Sequence, residues 1–208
     1  MAQPAEPASR ACTSSPRAYA GLVGRLQVSG VRAQITELKR PAVIDGQVAG
    51  WVGVGGIDAG PSGEPEWIQV GLAGFTGGDS QLYYEITERG KEPAYTPVAD
   101  ISRGASFTVG VVEIASRPNW WRVEVDGRTA SPPVWLPGSH QKWQATATSE
   151  TWNRSGACNR FSYRFDEVSV YRSAAWRPLE TRAVLSDRGY AVRARTASSF
   201  VAKSVFRP

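Results

Sequence analysis

The residues of this sequence that could contact a ligand first appear in the run EWIQVGL, residues 66–72. Successive side chains of a strand point to opposite faces, so Trp67, Gln69 and Gly71 share one face of this run. An indole, an amide and a glycine side by side are typical of a ligand-binding groove, with a wall, a hydrogen-bonding group and room for close approach. The alternative is that the Gln69 amide only bonds to a neighbouring strand.

A second polar row ends at a carboxyl group. In KWQATATSE, residues 142–150, alternation places Gln144, Thr146, Thr148 and Glu150 on one face. Side chains of this kind can hydrogen-bond a ligand, and a carboxyl group can also exchange a proton with it. Glu150 therefore belongs to a polar surface of a strand. A solvent-exposed carboxylate at a strand end is the alternative.

Strands must position these residues, because helical periodicity is weak throughout the chain. The chain has 21 Gly, 14 Pro and 8 Trp, which is typical of all-β proteins with many turns. We therefore predict an all-β sandwich of two antiparallel sheets over residues 19–208, after a flexible N-terminal arm over residues 1–18. The strand-like runs are GRLQVSG, VRAQITEL, VAGWVGVGG, EWIQVGLAG, QLYYEITE, SFTVGVVEI, WWRVEVDG, KWQATATSE, RFDEVSVYR and AVRARTA.

Composition argues against several kinds of site and partner. The two cysteines, Cys12 and Cys158, and the single His140 are too few for a zinc site, and no cofactor is expected. The net charge of +5 comes from scattered Lys and Arg residues, so neither nucleic acid nor a membrane is expected as a partner. Cys12 and Cys158 could form a disulfide, which indicates a secreted protein, and two free thiols are the alternative.

Four short segments, in their order along the chain, resemble the glutamic peptidases of the eqolisin family. Trp51 begins a WVG segment like the family's WVG-ID motif, and Gln69 stands where the family's LQTG strand has its glutamine. Tyr83 and Glu85 match a WYEW segment, and Glu150 matches the glutamate of an AEW strand. The resemblance covers most of the chain. It implies a concanavalin A-like jelly-roll β-sandwich.

The resemblance also implies a catalytic dyad, Gln69 and Glu150, in a monomeric endopeptidase that acts on polypeptides in acid. Glu150 takes a proton from the attacking water and then protonates the leaving nitrogen. The Gln69 amide donates a hydrogen bond to the carbonyl oxygen as negative charge develops on it. No cation is predicted beside Glu150. The residues predicted to bind substrate are Trp51, Trp67, Tyr83, Glu85 and Gln144.

A glycan-binding module is the alternative function. Concanavalin-like sandwiches also host lectins, and eight Trp residues could supply stacking surfaces for sugar rings. An inactive eqolisin-like module is a further alternative. A glycoside hydrolase of the laminarinase type is disfavoured. Such enzymes carry the motif E-x-D-x-x-E, and Glu124 and Asp126 match its first two carboxylates. Thr129 stands where the third carboxylate is needed.

Overall fold

The computed structural model describes residues 15–154, 156, 158–180 and 182–206. Apart from one turn of 3-10 helix at Pro61–Gly63, the regular elements of the described residues are strands. None of the described residues lies in a helix long and apolar enough to cross a membrane. The strands are β1 (Arg17–Gln27), β2 (Gly30–Ala42), β3 (Gln47–Gly56), β4 (Glu66–Phe75), β5 (Ser80–Thr87), β6 (Ala94–Asp100), β7 (Ser106–Glu113), β8 (Trp120–Val125), β9 (Arg128–Thr129), β10 (Val134–Trp135), β11 (Gln144–Trp152), β12 (Arg160–Arg172), β13 (Ala175–Pro178), β14 (Arg182–Ser186), β15 (Tyr190–Thr196) and β16 (Ser199–Ser204).

The strands form two antiparallel sheets that pack face to face. The first sheet has the order β14-β1-β11-β3-β4-β5-β6. The second has the order β10-β8-β7-β2-β12-β16-β15, with β13 beside β12 and β9 beside β8. Strands β2 and β7 of the second sheet contact β3 and β4 of the first. This arrangement confirms the predicted all-β jelly-roll sandwich.

Alternation along each strand decides which residues enter the core between the sheets. In β4, Ile68, Val70 and Leu72 are fully buried there, and the residues between them face the outer side of the first sheet. The second sheet contributes large aromatic side chains, among them Trp121 and Phe165, which are also fully buried. Burial of this apolar surface stabilises the sandwich. The outer face of the first sheet carries polar side chains together with a smaller apolar cluster that includes Ala49, Ala73 and Tyr83.

The sandwich begins two residues earlier in the chain than its predicted start at residue 19. Strand β1 begins at Arg17, so the last two residues of the predicted arm, 1–18, belong to the first sheet. The C-terminal strands β14 and β15 lie at sheet edges. The predicted disulfide between Cys12 and Cys158 stays a prediction, because Cys12 lies outside the described residues.

Strands β3 and β4 approach each other closely because small residues lie opposite large ones. The register pairs Trp51 with Gly71 and Gln69 with Gly53. A methyl group added at Gly71 would lie 2.1 Å from the carbonyl oxygen of Gly50. A methyl group at Gly53 would lie 2.7 Å from a backbone oxygen of β4. Both distances are steric clashes, so the two glycines are required for this pairing.

We expect Gly71→Ala to destabilise the fold by about 1–3 kcal/mol, the usual cost of overpacking a closely packed site. Gly56→Ala is the matched control, because Gly56 lies on the same strand pair and an added methyl group has no atom within 4 Å. Unfolding of both variants in denaturant measures the difference. Equal stability of Gly71→Ala and the parent protein would show that β3 and β4 can separate without cost.

Candidate active site

A groove with a volume of about 470 Å³ lies on the outer face of the first sheet. Strands β1, β11, β3, β4 and β5 form its floor in that order, so residues from distant parts of the chain meet on it. Gln69 and Glu150 both line this groove, and they therefore lie on the same face of the sandwich. Among the described residues, no cluster of His, Cys, Asp or Glu side chains is suited to a metal ion.

Glu150 lies on β11, between Tyr19 of β1 and Ala49 of β3. Because the Ala49 side chain is small, the indole of Trp51 can reach diagonally across the strand pair. Its Nε1 donates a hydrogen bond to Oε2 of Glu150 at 3.1 Å. Burial raises the pKa of Glu150 to about 7, against the opposing effects of this hydrogen bond and of the Arg17 charge. Glu150 therefore carries a proton in acid.

Gln69 lies on β4, with β3 between it and the strand of Glu150. The residue is only 8% exposed, and its Nε2 donates a hydrogen bond to Oη of Tyr83 at 3.1 Å. The Tyr83 ring stacks on Tyr95, with ring centroids 4.8 Å apart. Burial holds the pKa of Tyr83 well above its usual value, so the phenol stays protonated. The second amide hydrogen of Gln69 is left for a ligand.

A second carboxyl group lies beside Gln69. Glu85 is the partner of Gln69 in the register of β4 and β5, and Nε1 of Trp67 donates a hydrogen bond to its Oε1 at 3.0 Å. Burial raises the pKa of Glu85, while the Trp67 hydrogen bond and the Arg17 charge lower it. The groove thus contains two carboxyl groups that are each oriented by an indole.

Arg17 and Tyr19 also line the groove, although the sequence pattern does not single them out. Both lie on β1, next to the strand of Glu150, and both line the groove. The positive charge of Arg17 lowers the pKa of Glu150 and of Glu85. The prediction that no cation lies beside Glu150 is therefore wrong. The alternation in RAYAGLV, residues 17–23, is the signal that could have identified β1.

The residues predicted to bind substrate separate into two groups. The groove is lined by Trp51, Trp67, Tyr83 and Glu85. Gln144 is exposed at the start of β11, where its Nε2 donates a hydrogen bond to the carbonyl oxygen of Arg25 at 3.2 Å. Gln144 thus lies outside the groove, because the polar row of β11 extends beyond its end.

Comparison with known proteins gives similarity in structure alone. No family model and no curated protein matches the sequence. A crystal structure of Scytalido-glutamic peptidase with a peptide-based transition-state analogue has a TM-score of 0.66 at 16% identity, over 92% of this chain and 99% of that one. A second structure of that peptidase, with a transition-state analogue inhibitor, has a TM-score of 0.65 at 15% identity, over 90% and 98% of the chains.

A third solved structure gives the same result. SCP-B, a member of the eqolisin family of peptidases in a complex with the tripeptide Ala-Ile-His, has a TM-score of 0.61 at 16% identity, over 92% of this chain and 99% of that one. These similarities confirm the predicted resemblance at the level of the fold. The chain has the fold of the glutamic peptidases.

We expect Trp51→Phe to raise the pKa of Glu150 further, because it removes a hydrogen bond to the ionised carboxylate. Trp67→Phe is the matched control, since it makes the same change in the same groove but removes the hydrogen bond to Glu85. Titration of the carboxyl carbons by ¹³C NMR measures both groups. An unchanged Glu150 titration in Trp51→Phe would rule out this hydrogen bond in solution.

Proposed function

We propose that this chain is an endopeptidase in which Glu150 and Gln69 hydrolyse the peptide bond. The observation that carries the proposal is that both side chains line one groove, although their strands β11 and β4 are separated by β3. Two groups on opposite faces of the sandwich could not act on one bond. The fold shared with the glutamic peptidases supports the same conclusion.

The proposed reaction starts with Glu150 protonated, as its pKa of about 7 implies for acid solution. Glu150 gives this proton to the carbonyl oxygen of the scissile bond, while the water that attacks the carbonyl carbon returns a proton to the carboxylate. Glu150 next protonates the leaving nitrogen, and the C–N bond breaks. A hydroxyl proton of the intermediate then returns to Glu150, so the carboxyl group ends as it began.

Gln69 stabilises the oxygen of the scissile carbonyl in this proposal. Its free Nε2 hydrogen donates to that oxygen as electron density shifts onto it during attack, alongside the proton transfer from Glu150. The hydrogen bond to Tyr83 holds the amide in place, and the hydrogen bond from Trp51 holds the carboxyl group of Glu150. Groups that are oriented before the substrate binds need little reorganisation in the transition state.

The substrate in this proposal is a polypeptide that lies across β11, β3, β4 and β5. The groove volume of about 470 Å³ is within the range of small-ligand sites, so it accommodates a few residues of a chain. Trp51 and Trp67 offer apolar walls, and Glu85 offers a carboxyl group to a peptide amide or a basic side chain. We also propose that the protein is secreted and works in an acidic medium, where Glu150 is protonated.

Cleavage of denatured casein from about pH 2 to about pH 7 tests the dyad. We expect Glu150→Gln to lower kcat/KM by at least about 10²-fold, because a general acid–base group is lost. Gln69→Ala should lower it by about 10²–10³-fold through loss of the hydrogen bond to the carbonyl oxygen in the transition state. Glu124→Gln and Gln144→Ala are matched controls outside the groove and should cleave like the parent protein.

Two results would contradict this assignment. A correctly folded parent protein that cleaves no polypeptide at any pH would exclude the peptidase, and a glycan array would then test the binding-module alternative. Cleavage that survives both Glu150→Gln and Gln69→Ala would place the reaction elsewhere in the molecule.

The pH profile tests the order of the proton transfers. We expect kcat/KM for a soluble peptide to fall as the pH rises through about 7, because the protonated form of Glu150 starts the reaction. Recovery of activity on return to acid is the control for unfolding. A rate that rises through this pH would instead show that Glu150 starts as an ionised base.

A further inference from the structure

A second cavity, of about 560 Å³, lies on the outer face of the second sheet, on the opposite side of the sandwich from the groove. We call it the basic cavity. No Asp or Glu is among the described residues that line it. Its cations come from β2, β12, β15 and β16 and are Lys39, Arg40, Arg160, Arg193 and Lys203.

The strand register brings these cations together. Ser162 of β12 is paired with Lys39 of β2 on one side and with Lys203 of β16 on the other, so the three side chains form one row across the sheet. Arg193 of β15 is paired with Val201, two residues before Lys203. Like charges close together on neighbouring strands destabilise a sheet. A bound anion would therefore relieve the repulsion among these clustered cations.

The protein supplies little counter-charge to these cations. Arg40 forms an ion pair with Asp79 at 3.4 Å, but the Asp79 side chain is 92% exposed, so the pair is strongly screened by solvent. The other four cations of the basic cavity form no ion pair with a carboxylate of the described part of the chain. Arg164, nearby on β12, is by contrast paired with Asp166 at 2.6 Å.

We propose that the basic cavity binds an anionic polysaccharide. Its volume admits sugar rings, and Ser162 and Ser204 add hydroxyl groups that can hydrogen-bond those of a sugar. The guanidinium groups of Arg160 and Arg193 suit carboxylate or sulfate, which they bind through two parallel hydrogen bonds. The site is separate from the groove and does not depend on its activity. It would hold the protein on a charged polymer while leaving the groove open.

Two other polyanions fit the basic cavity less well. Single-stranded nucleic acid stacks its bases on free aromatic faces. The aromatic residues of this cavity are occupied, because Phe161 is buried and Phe206 packs edge-on against Tyr190 with ring centroids 5.2 Å apart. A membrane surface is bound best by cations that stand beside apolar side chains on an open face. The cations here converge on a recess.

Isothermal titration calorimetry at low salt tests the proposal, with polygalacturonate, dextran sulfate and neutral dextran as probes. We expect a charged polymer to bind and neutral dextran not to bind. Comparing polygalacturonate, which carries carboxylates, with dextran sulfate identifies the preferred anion. High salt should abolish binding by screening. Lys39→Ser/Lys203→Ser should weaken binding at least about tenfold, because two charge-assisted contacts are lost.

The matched control is Lys142→Ser/Arg128→Ser, which removes the same net charge from exposed positions away from the basic cavity. Equal weakening in this control would show attraction by net charge alone and would overturn the site. Tighter binding of a single-stranded DNA oligonucleotide or of phosphatidylglycerol vesicles than of either polysaccharide would overturn the ligand class. Binding of neither charged polysaccharide would overturn the proposal. Peptide cleavage by Lys39→Ser/Lys203→Ser should equal that of the parent protein, so the two proposals fail separately.

Discussion

The close approach of β3 and β4 is the constraint on which the groove depends. Gly53 and Gly71 lie opposite Gln69 and Trp51, and neither position has room for a methyl group. A large side chain opposite another large one would fill the floor of the groove or separate the strands. With a glycine opposite each of them, Trp51 and Gln69 find their hydrogen-bond partners diagonally on their other neighbouring strands, Glu150 on β11 and Tyr83 on β5.

The groove and the basic cavity, on opposite outer faces of the sandwich, differ in charge. The first sheet holds Glu85 and Glu150 in a groove where burial raises the pKa of both. The second sheet gathers cations in the basic cavity, where no carboxylate of the described residues lines the wall. One face therefore favours protonated carboxyl groups, and the other favours an anionic partner. A modest net charge of +5 conceals this separation, because it sums over both faces.

Alternation within single strands is what the sequence could predict, and it predicts the groove face of β4 and β11 correctly. It does not say which strands are neighbours, because pairing joins residues far apart in the chain. Only the resemblance to a family linked Gln69 with Glu150. Strand β6 is absent from the predicted strands because Pro97 weakens its strand pattern. The strand forms nevertheless, since β6 lies at the edge of the sheet, where a proline is tolerated. The prediction places Arg17 in the N-terminal arm, so the sequence does not indicate its effect on Glu150.

Buried carboxyl groups also connect the proposed chemistry with the stability of the fold. Burial raises the pKa of Glu66, at the start of β4, and of Glu150 from 4.5 to about 7. Between these values the unfolded chain releases protons that the folded chain keeps, so the free energy of unfolding decreases as the pH rises. This loss of stability is absent below the pKa of the two groups in the unfolded chain, and it is complete above their pKa in the folded chain. A groove that keeps a proton on Glu150 for the proposed catalysis therefore destabilises the fold less in acid than above the folded pKa.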